Sequence, residues 1–242
     1  MRPRTGRPGY TRPPVIEGKT LAVVVPAYNE EHLVGATLEG MPPCVDRVYV
    51  VDDRSTDGTA AAVEAAALAD PRVTLVRHEQ NGGVGAAIVT GYRAALADGL
   101  DLVAVMAADN QMDPDELPAL AGPVARGEVD YAKANRLTTD EAFRTIPKVR
   151  FFGNAVLSLL TKIASGYWHV ADSQAGYAVI GREALATLPL DRLYPRYGFP
   201  NDVLVHLNVD ARRVADIPSR PIYGIGERSG IRLRKVVPTI SA

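Results

Sequence analysis

From Thr20 onward, short apolar runs rich in β-branched residues alternate with stretches of helical spacing, and this alternation fixes the fold class. The runs are Thr20–Pro26, Arg47–Asp52, Val73–Arg77 and Leu102–Met106, each of strand length. Between them lie Glu30–Glu39, the Ala-rich Thr56–Ala69 and Gly85–Ala97, all with helical spacing. After the fourth run Asp113 can cap a helix whose first position is Pro114. Strands that alternate with helices build an α/β fold, a doubly wound and mostly parallel sheet flanked by helices.

In such a sheet ligands bind beyond the carboxyl ends of the strands. Functional residues should therefore cluster just after each run, and polar, turn-rich segments stand there four times. They are Pro26–Glu31, Asp52–Thr59, Asn81–Gly85 and Asp109–Asp113. The second half is less regular. It predicts a helix over Lys148–Ser165, a strand over Ala175–Ile180, a helix over Asp202–Val209 and a late strand over Arg213–Ile217.

Composition narrows the class without naming a function. The 242 residues suffice for one large domain. With 27 basic and 28 acidic residues the net charge is −1, which argues against a broad polyanion-binding surface and hence against nucleic acid as a partner. The single Cys44 excludes an intramolecular disulfide framework and a Cys-rich zinc site, and fits a reducing compartment. No run of about 18 apolar residues is present to span a bilayer. Residues 1–19 read as a flexible basic leader, 20–235 as one domain and 236–242 as a tail.

Two strand ends carry the plainest chemistry. Asp53 follows the second strand, where a carboxylate can accept hydrogen bonds from ribose hydroxyls or base N–H groups. Asp57 reads as a helix cap. Asp109 and Gln111, two positions apart, offer oxygen ligands of the kind Mg²⁺ or Mn²⁺ takes together with water and diphosphate oxygens. A turn holding one satisfied Asp would look the same. Asn81–Gly85 lacks both the dinucleotide glycine pattern and the Lys-Ser/Thr of a P-loop, so its glycines read as a tight turn into a closely packed helix.

Taken together, Val24–Glu31, Val50–Thr59, Asn81–Ala86 with Gly91, and Asp109–Pro114 resemble glycosyltransferase family 2, of GT-A fold. The likeness is strongest to its polyprenyl-phosphate (dolichyl-phosphate) mannosyl- or glucosyltransferase branch. It covers about residues 20–135 and continues more weakly to about 235. The resemblance implies that Pro26, Ala27, Tyr28 and Glu30 form the first nucleotide-binding loop, with Tyr28 against the base. It implies that Asp53 contacts base or ribose, and that Asp109 is the last Asp of the D-x-D metal motif with Gln111 beside it. Ala107 departs from that motif by replacing its first Asp.

Further roles follow from the same resemblance. Arg136 would contact the acceptor phosphate or the donor diphosphate, with Lys148 and Arg150 as further acceptor-phosphate residues. A surface salt bridge is the plainer role for Arg136. Asp172 and Gln174, in a segment that ends in Ser-Gly-Phe/Tyr in relatives and in Ala175-Gly-Tyr177 here, would line the sugar pocket. Arg228 would offset charge on the leaving group. Asn201-Asp202 stands where many relatives carry Glu-Asp, so Asp202 is a general base if the acceptor is a hydroxyl and an orienting group if it is a phosphate.

The implied activity is metal-assisted (Mg²⁺ or Mn²⁺), inverting transfer from a GDP- or UDP-linked sugar to a lipid phosphate. Its setting would be the cytoplasmic face of the cell membrane. Transfer to a hydroxyl acceptor in cell-wall or capsule synthesis is one alternative. A non-catalytic nucleotide-sugar-binding protein, prompted by Ala107 and Asn201, is another.

Overall fold

A computed structural model describes residues 16–137, 159, 161–163, 165–172, 175–220 and 222. The first half follows the alternation: β1 (Leu21–Ala27), α1 (Val34–Glu39), β2 (Arg47–Asp52), α2 (Thr59–Ala69), β3 (Val73–Arg77), α3 (Val84–Ala97) and β4 (Leu102–Val105). A 3-10 turn (Pro114–Glu116) leads into α4 (Leu117–Ala125) and β5 (Tyr131–Asn135). Then come β6 (Ala178–Gly181), α5 (Arg182–Thr187), α6 (Phe199–Val209) and β7 (Val214–Pro218).

The strands form one sheet in the order β3-β2-β1-β4-β6-β5-β7. Only β6 runs against the rest, pairing antiparallel with both β4 and β5. The carboxyl ends of the other six strands and the start of β6 therefore share one edge of the sheet. Alternation along β1 sends Leu21, Val23, Val25 and Ala27 into the core layer under α1, α2 and α4. Ala22 and Val24 face the opposite layer, with α3, α5 and α6. Contact with α3 is close: a Cβ on Gly91 would lie 2.3 Å from Cγ1 of Val24, so only glycine lets the helix approach this far.

Several boundaries differ from the sequence reading. β1 continues through Pro26, which pairs with Val51 of β2 beyond the last β1–β4 pair, Val24–Val105. Its missing N–H thus falls where β1 has β2 alone as a registered partner. The first helix begins at Val34, later than the spacing from Glu30 suggests, and the loop before it is tied to the loop after β2. Glu30 N donates to Thr59 Oγ1 at 2.8 Å and Glu31 N to an Asp57 oxygen at 3.3 Å. Asp113 caps as expected, accepting from Asp115 N at 3.0 Å with Pro114 at the first position. Of the helix expected over 148–165, the described residues 159, 161–163 and 165 are helical. Among the described residues no helix is long and apolar enough to cross a membrane.

Candidate active site

Four loops meet at the carboxyl edge, and their side chains are spent largely on holding one another. After β1, Tyr28 stands half-exposed and Asn29 takes φ 57°. Asn29 N donates to Ser55 Oγ at 2.9 Å, and Asn29 Oδ1 accepts from Thr56 N at 2.8 Å, so the loops after β1 and β2 are stitched together. α2 begins at Thr59 rather than Thr56, and Gly58 rather than Asp57 stands at its N-cap; Asp57, one residue earlier, accepts from Thr59 N at 3.0 Å and braces the turn into the helix.

Asp53 is buried, and both of its carboxylate oxygens have partners. Oδ1 accepts from Gly82 N at 2.8 Å and from His78 Nδ1 at 2.8 Å, while Oδ2 accepts from Gly83 N at 2.7 Å. Asn81 Nδ2 donates to the Asp53 carbonyl at 3.0 Å. The carboxylate thus shapes the glycine turn before α3. That turn is not an anion cradle. Beyond the two N–H groups taken by Asp53, Gly85 N and Ala86 N donate to Pro195 O at 2.9 and 3.2 Å. A Cβ on Gly83 would lie 2.5 Å from that same oxygen. The glycines serve a tight turn and a close approach, as the sequence suggested.

Beyond β4, Asp109 Oδ1 accepts from Gln111 N at 3.1 Å, and Asn110 takes φ 57°. The neighbouring β1 loop brings Glu30 up to it. Burial first, then the negative charges of Asp109 and Asp57, push the Glu30 carboxyl up to about 7. Ala107 N donates to Met112 Sδ at 3.2 Å, so the residue that replaces the first motif Asp is held through its backbone. Among the described residues no three His, Cys, Asp or Glu side chains come together to hold a metal ion by themselves. The hard oxygen donors and the like-charge crowding at Glu30 and Asp109 suit a divalent cation whose remaining ligands are water and diphosphate oxygens. They do not suit an all-protein cage.

At the far side of the edge, Arg136 and Asp172 form an ion pair. The Asp172 carboxylate is fully buried and accepts from Arg136 Nε at 2.8 Å and from the Arg136 backbone N at 3.3 Å. Burial raises the Asp172 carboxyl, but the Arg136 guanidinium, its hydrogen bonds and the Lys133 charge outweigh burial and hold it below the usual range. Lys133, in the middle of β5, is buried completely and donates to the Asp172 carbonyl oxygen. Burial pushes the Lys133 ammonium down to about 8 against the pull of Asp172 and Asp216. Asp216 of β7 accepts from Asn135 Nδ2 at 2.8 Å and from Ala171 N at 2.6 Å, and its other oxygen is buried without a hydrogen-bond partner.

Asp202, in the first turn of α6, accepts from Tyr194 N at 2.7 Å and lies 3.7 Å from His206 Nε2. Through Tyr194 it holds the same segment whose Pro195 carbonyl caps α3. Of the sequence-predicted residues, Pro26, Ala27, Tyr28, Glu30, Asp53, Asp109 and Gln111 thus stand on the adjacent ends of β1, β2 and β4. Arg136 and Asp172 pair on the β5–β6 side. Lys148, Arg150, Gln174 and Arg228 lie outside the described residues.

Three participants escaped sequence reasoning. His78 stands in none of the motifs, yet it holds Asp53. Lys133 had a signal, since a lone charge interrupts the apolar strand Tyr131–Asn135. The Tyr177 hydroxyl reaches the Asp113 carbonyl at 3.0 Å, across 64 residues that no local pattern spans.

Comparison with known proteins agrees with this architecture. Over 218 residues the chain is 27% identical to a UDP-N-acetylglucosamine–dolichyl-phosphate N-acetylglucosaminyltransferase of Methanococcus voltae, covering 85% of this chain and 86% of the relative. It is 29% identical over 229 residues to a polyprenol monophosphomannose synthase of Mycolicibacterium smegmatis, covering 89% and 83% of the two chains. A crystal structure of glucosyl-3-phosphoglycerate synthase from Mycobacterium tuberculosis, with Mn²⁺, UDP and phosphoglyceric acid, superposes with a TM-score of 0.69 at 21% identity. That match covers 98% of this chain and 81% of that structure, and it shows the fold to be GT-A. The family model for "Glycosyl transferase family 2" matches residues 22–188, well over half the chain, and with strand-end loops in the family's order the chain belongs to glycosyl transferase family 2.

Proposed function

We propose that this glycosyltransferase moves a sugar from a nucleoside diphosphate sugar to a polyprenyl or dolichyl phosphate, with inversion at the anomeric carbon. The observation that carries the reading is the meeting of the Glu30, Asp53 and Asp109 loops on adjacent strand ends, where a doubly wound sheet binds its ligand. The relatives' names, which specify dolichyl phosphate and polyprenol acceptors, supply the acceptor class.

In this reading the nucleoside lies along the β1 and β2 loops, with the exposed Tyr28 ring against the base. Asp53 fixes the loop that borders it. Asp109, with Gln111, would hold a divalent ion, which when bound would supply positive charge to offset that of the leaving nucleoside diphosphate. Arg136, set by Asp172, faces the transferred sugar or the acceptor phosphate, and Lys148, Arg150, Gln174 and Arg228 complete the acceptor, sugar and leaving-group contacts. A phosphate acceptor is ionised near neutral pH and attacks the anomeric carbon without a general base. Asp202 is then an orienting residue, in keeping with its bond to Tyr194 N. The acceptor class implies peripheral attachment at the cytoplasmic membrane face.

The decisive test is calorimetric binding of UDP- and GDP-sugars with and without Mn²⁺, followed by transfer of radiolabelled sugar to a polyprenyl phosphate in detergent. Product with the lipid phosphate, lost in Asp109→Ala, supports the reading. Product only with a hydroxyl acceptor overturns it.

A further inference from the structure

With Ala107 in place of a carboxylate, the loop at residues 107–113 offers few ligands of its own. Such a loop binds an ion well only if its shape is fixed in advance, because ordering it on binding would cost conformational entropy. The structure shows how the shape is fixed. Tyr177, just before β6 and only 3% exposed, donates its hydroxyl to the Asp113 carbonyl at 3.0 Å. On the other side Thr37 of α1, also buried, brings its hydroxyl to within 3.2 Å of the Ala108 carbonyl, which it shares with Leu33 O. Met112 closes the middle: its Sδ accepts from Ala107 N, and its Cε would lie 3.5 Å from a Cβ on Gly176.

Two hydroxyls from separate elements are thus aimed at the main chain on either side of Asp109. Tyr177 is tied down in turn, since its carbonyl accepts from Ala134 N of β5 at 2.8 Å. We infer that Tyr177, seconded by Thr37, is a positioning residue that presets the Asp109 loop for a divalent cation bound together with a nucleoside diphosphate. This rests on the reading of Asp109 given above.

Tyr177→Phe deletes the hydroxyl and little else, and Thr37→Val does the same on the α1 side. Mn²⁺ is titrated calorimetrically at fixed UDP or GDP, whichever the wild-type chain binds. Nucleotide binding in EDTA and the melting temperature are measured alongside. Loss of one buried hydrogen bond should raise the Mn²⁺ concentration at half-saturation about three- to tenfold, with nucleotide binding in EDTA within about twofold of wild type. In turnover the same change should appear as a higher KM for Mn²⁺, with kcat at saturating Mn²⁺ largely kept.

A Phe variant with unchanged Mn²⁺ half-saturation, in a wild-type chain that does bind nucleotide with metal, overturns the inference alone. A wild-type chain that binds no nucleotide with or without Mn²⁺ overturns the reading of the site and this inference with it. Should Tyr177→Phe fail to fold, Thr37→Val carries the same comparison: a raised half-saturation supports the inference and an unchanged one overturns it.

Discussion

Nδ1 of His78 lies 2.8 Å from Oδ1 of Asp53, and that contact makes a carboxylate at a ligand-binding edge part of the wall. With Gly82 N and Gly83 N on the same carboxylate, Asp53 organises the turn from β3 into α3. Asp53→Asn would place an amide NH₂ against one of these N–H donors. Hydrogen bonds to a charged group contribute about 1.5–3 kcal/mol each. Asp53→Asn should therefore lower unfolding stability by about 2 kcal/mol and weaken nucleotide binding. His78→Ala should do the same more mildly. Urea unfolding monitored by circular dichroism, beside calorimetric UDP and GDP titration, checks both.

A second prediction concerns the cap on α3. A Cβ on Gly85 would lie 2.5 Å from the Tyr194 carbonyl oxygen and 2.8 Å from the Pro195 carbonyl carbon. Both are backbone atoms, so the 194–196 segment must move. Gly85→Ala should cost about 1–3 kcal/mol, as overpacking does. It should also release the Gly85 and Ala86 N–H groups from Pro195, seen as faster amide exchange at those positions.

These cases show what the chain discloses of itself. The first four strands were legible because short β-branched apolar runs alternate with stretches of helical spacing, and that periodicity is local. The cap at Asp113 was legible for the same reason. Partnerships across 25 or more residues, such as His78 with Asp53, depend on which strand ends become neighbours, and a one-dimensional pattern holds no such information. The helical spacing from Glu30 overstates α1, which begins at Val34, and nothing local signals that Glu30 N and Glu31 N donate to Thr59 and Asp57, 29 and 26 residues away. Lys133 lies between the two cases: a lone charge in the apolar strand Tyr131–Asn135 is a local signal that sequence reasoning passed over, and its partner at residue 172 is not deducible from any local pattern.

Asp202 distinguishes the two acceptor classes. Its carboxylate accepts from Tyr194 N, and an Asn side chain still offers an oxygen there. If the acceptor is a phosphate, Asp202→Asn should keep activity within about tenfold, while Asp202→Ala loses the bond to Tyr194 and falls further. If the acceptor is a hydroxyl, both should lose about 10²–10⁴-fold, because neither side chain accepts a proton. Initial rates of the three chains with polyprenyl phosphate and with a soluble sugar acceptor give the answer.

Lys133 should reveal itself through pH. Its ammonium is buried completely, and burial pushes it from the usual 10.5 down to about 8. The sign follows from proton counting. Between pH 8 and 10.5 the unfolded chain keeps a proton on Lys133 that the folded chain has released. Stability from this group therefore rises with pH across that window, by up to about 1.4 kcal/mol per pH unit, and is flat below it. Tyrosines and Cys44, whose hydroxyls and thiol are shifted upward, pull the other way at alkaline pH. Because Lys133→Met keeps them, they cancel in the difference between wild type and variant. Urea unfolding of both chains at pH 7, 8, 9 and 10 should show the wild type gaining on Lys133→Met above pH 8. A difference independent of pH would mean that the buried amine keeps an ordinary affinity for its proton. The charge that sits behind Asp172 and Arg136 would then be fixed throughout the neutral and mildly alkaline range.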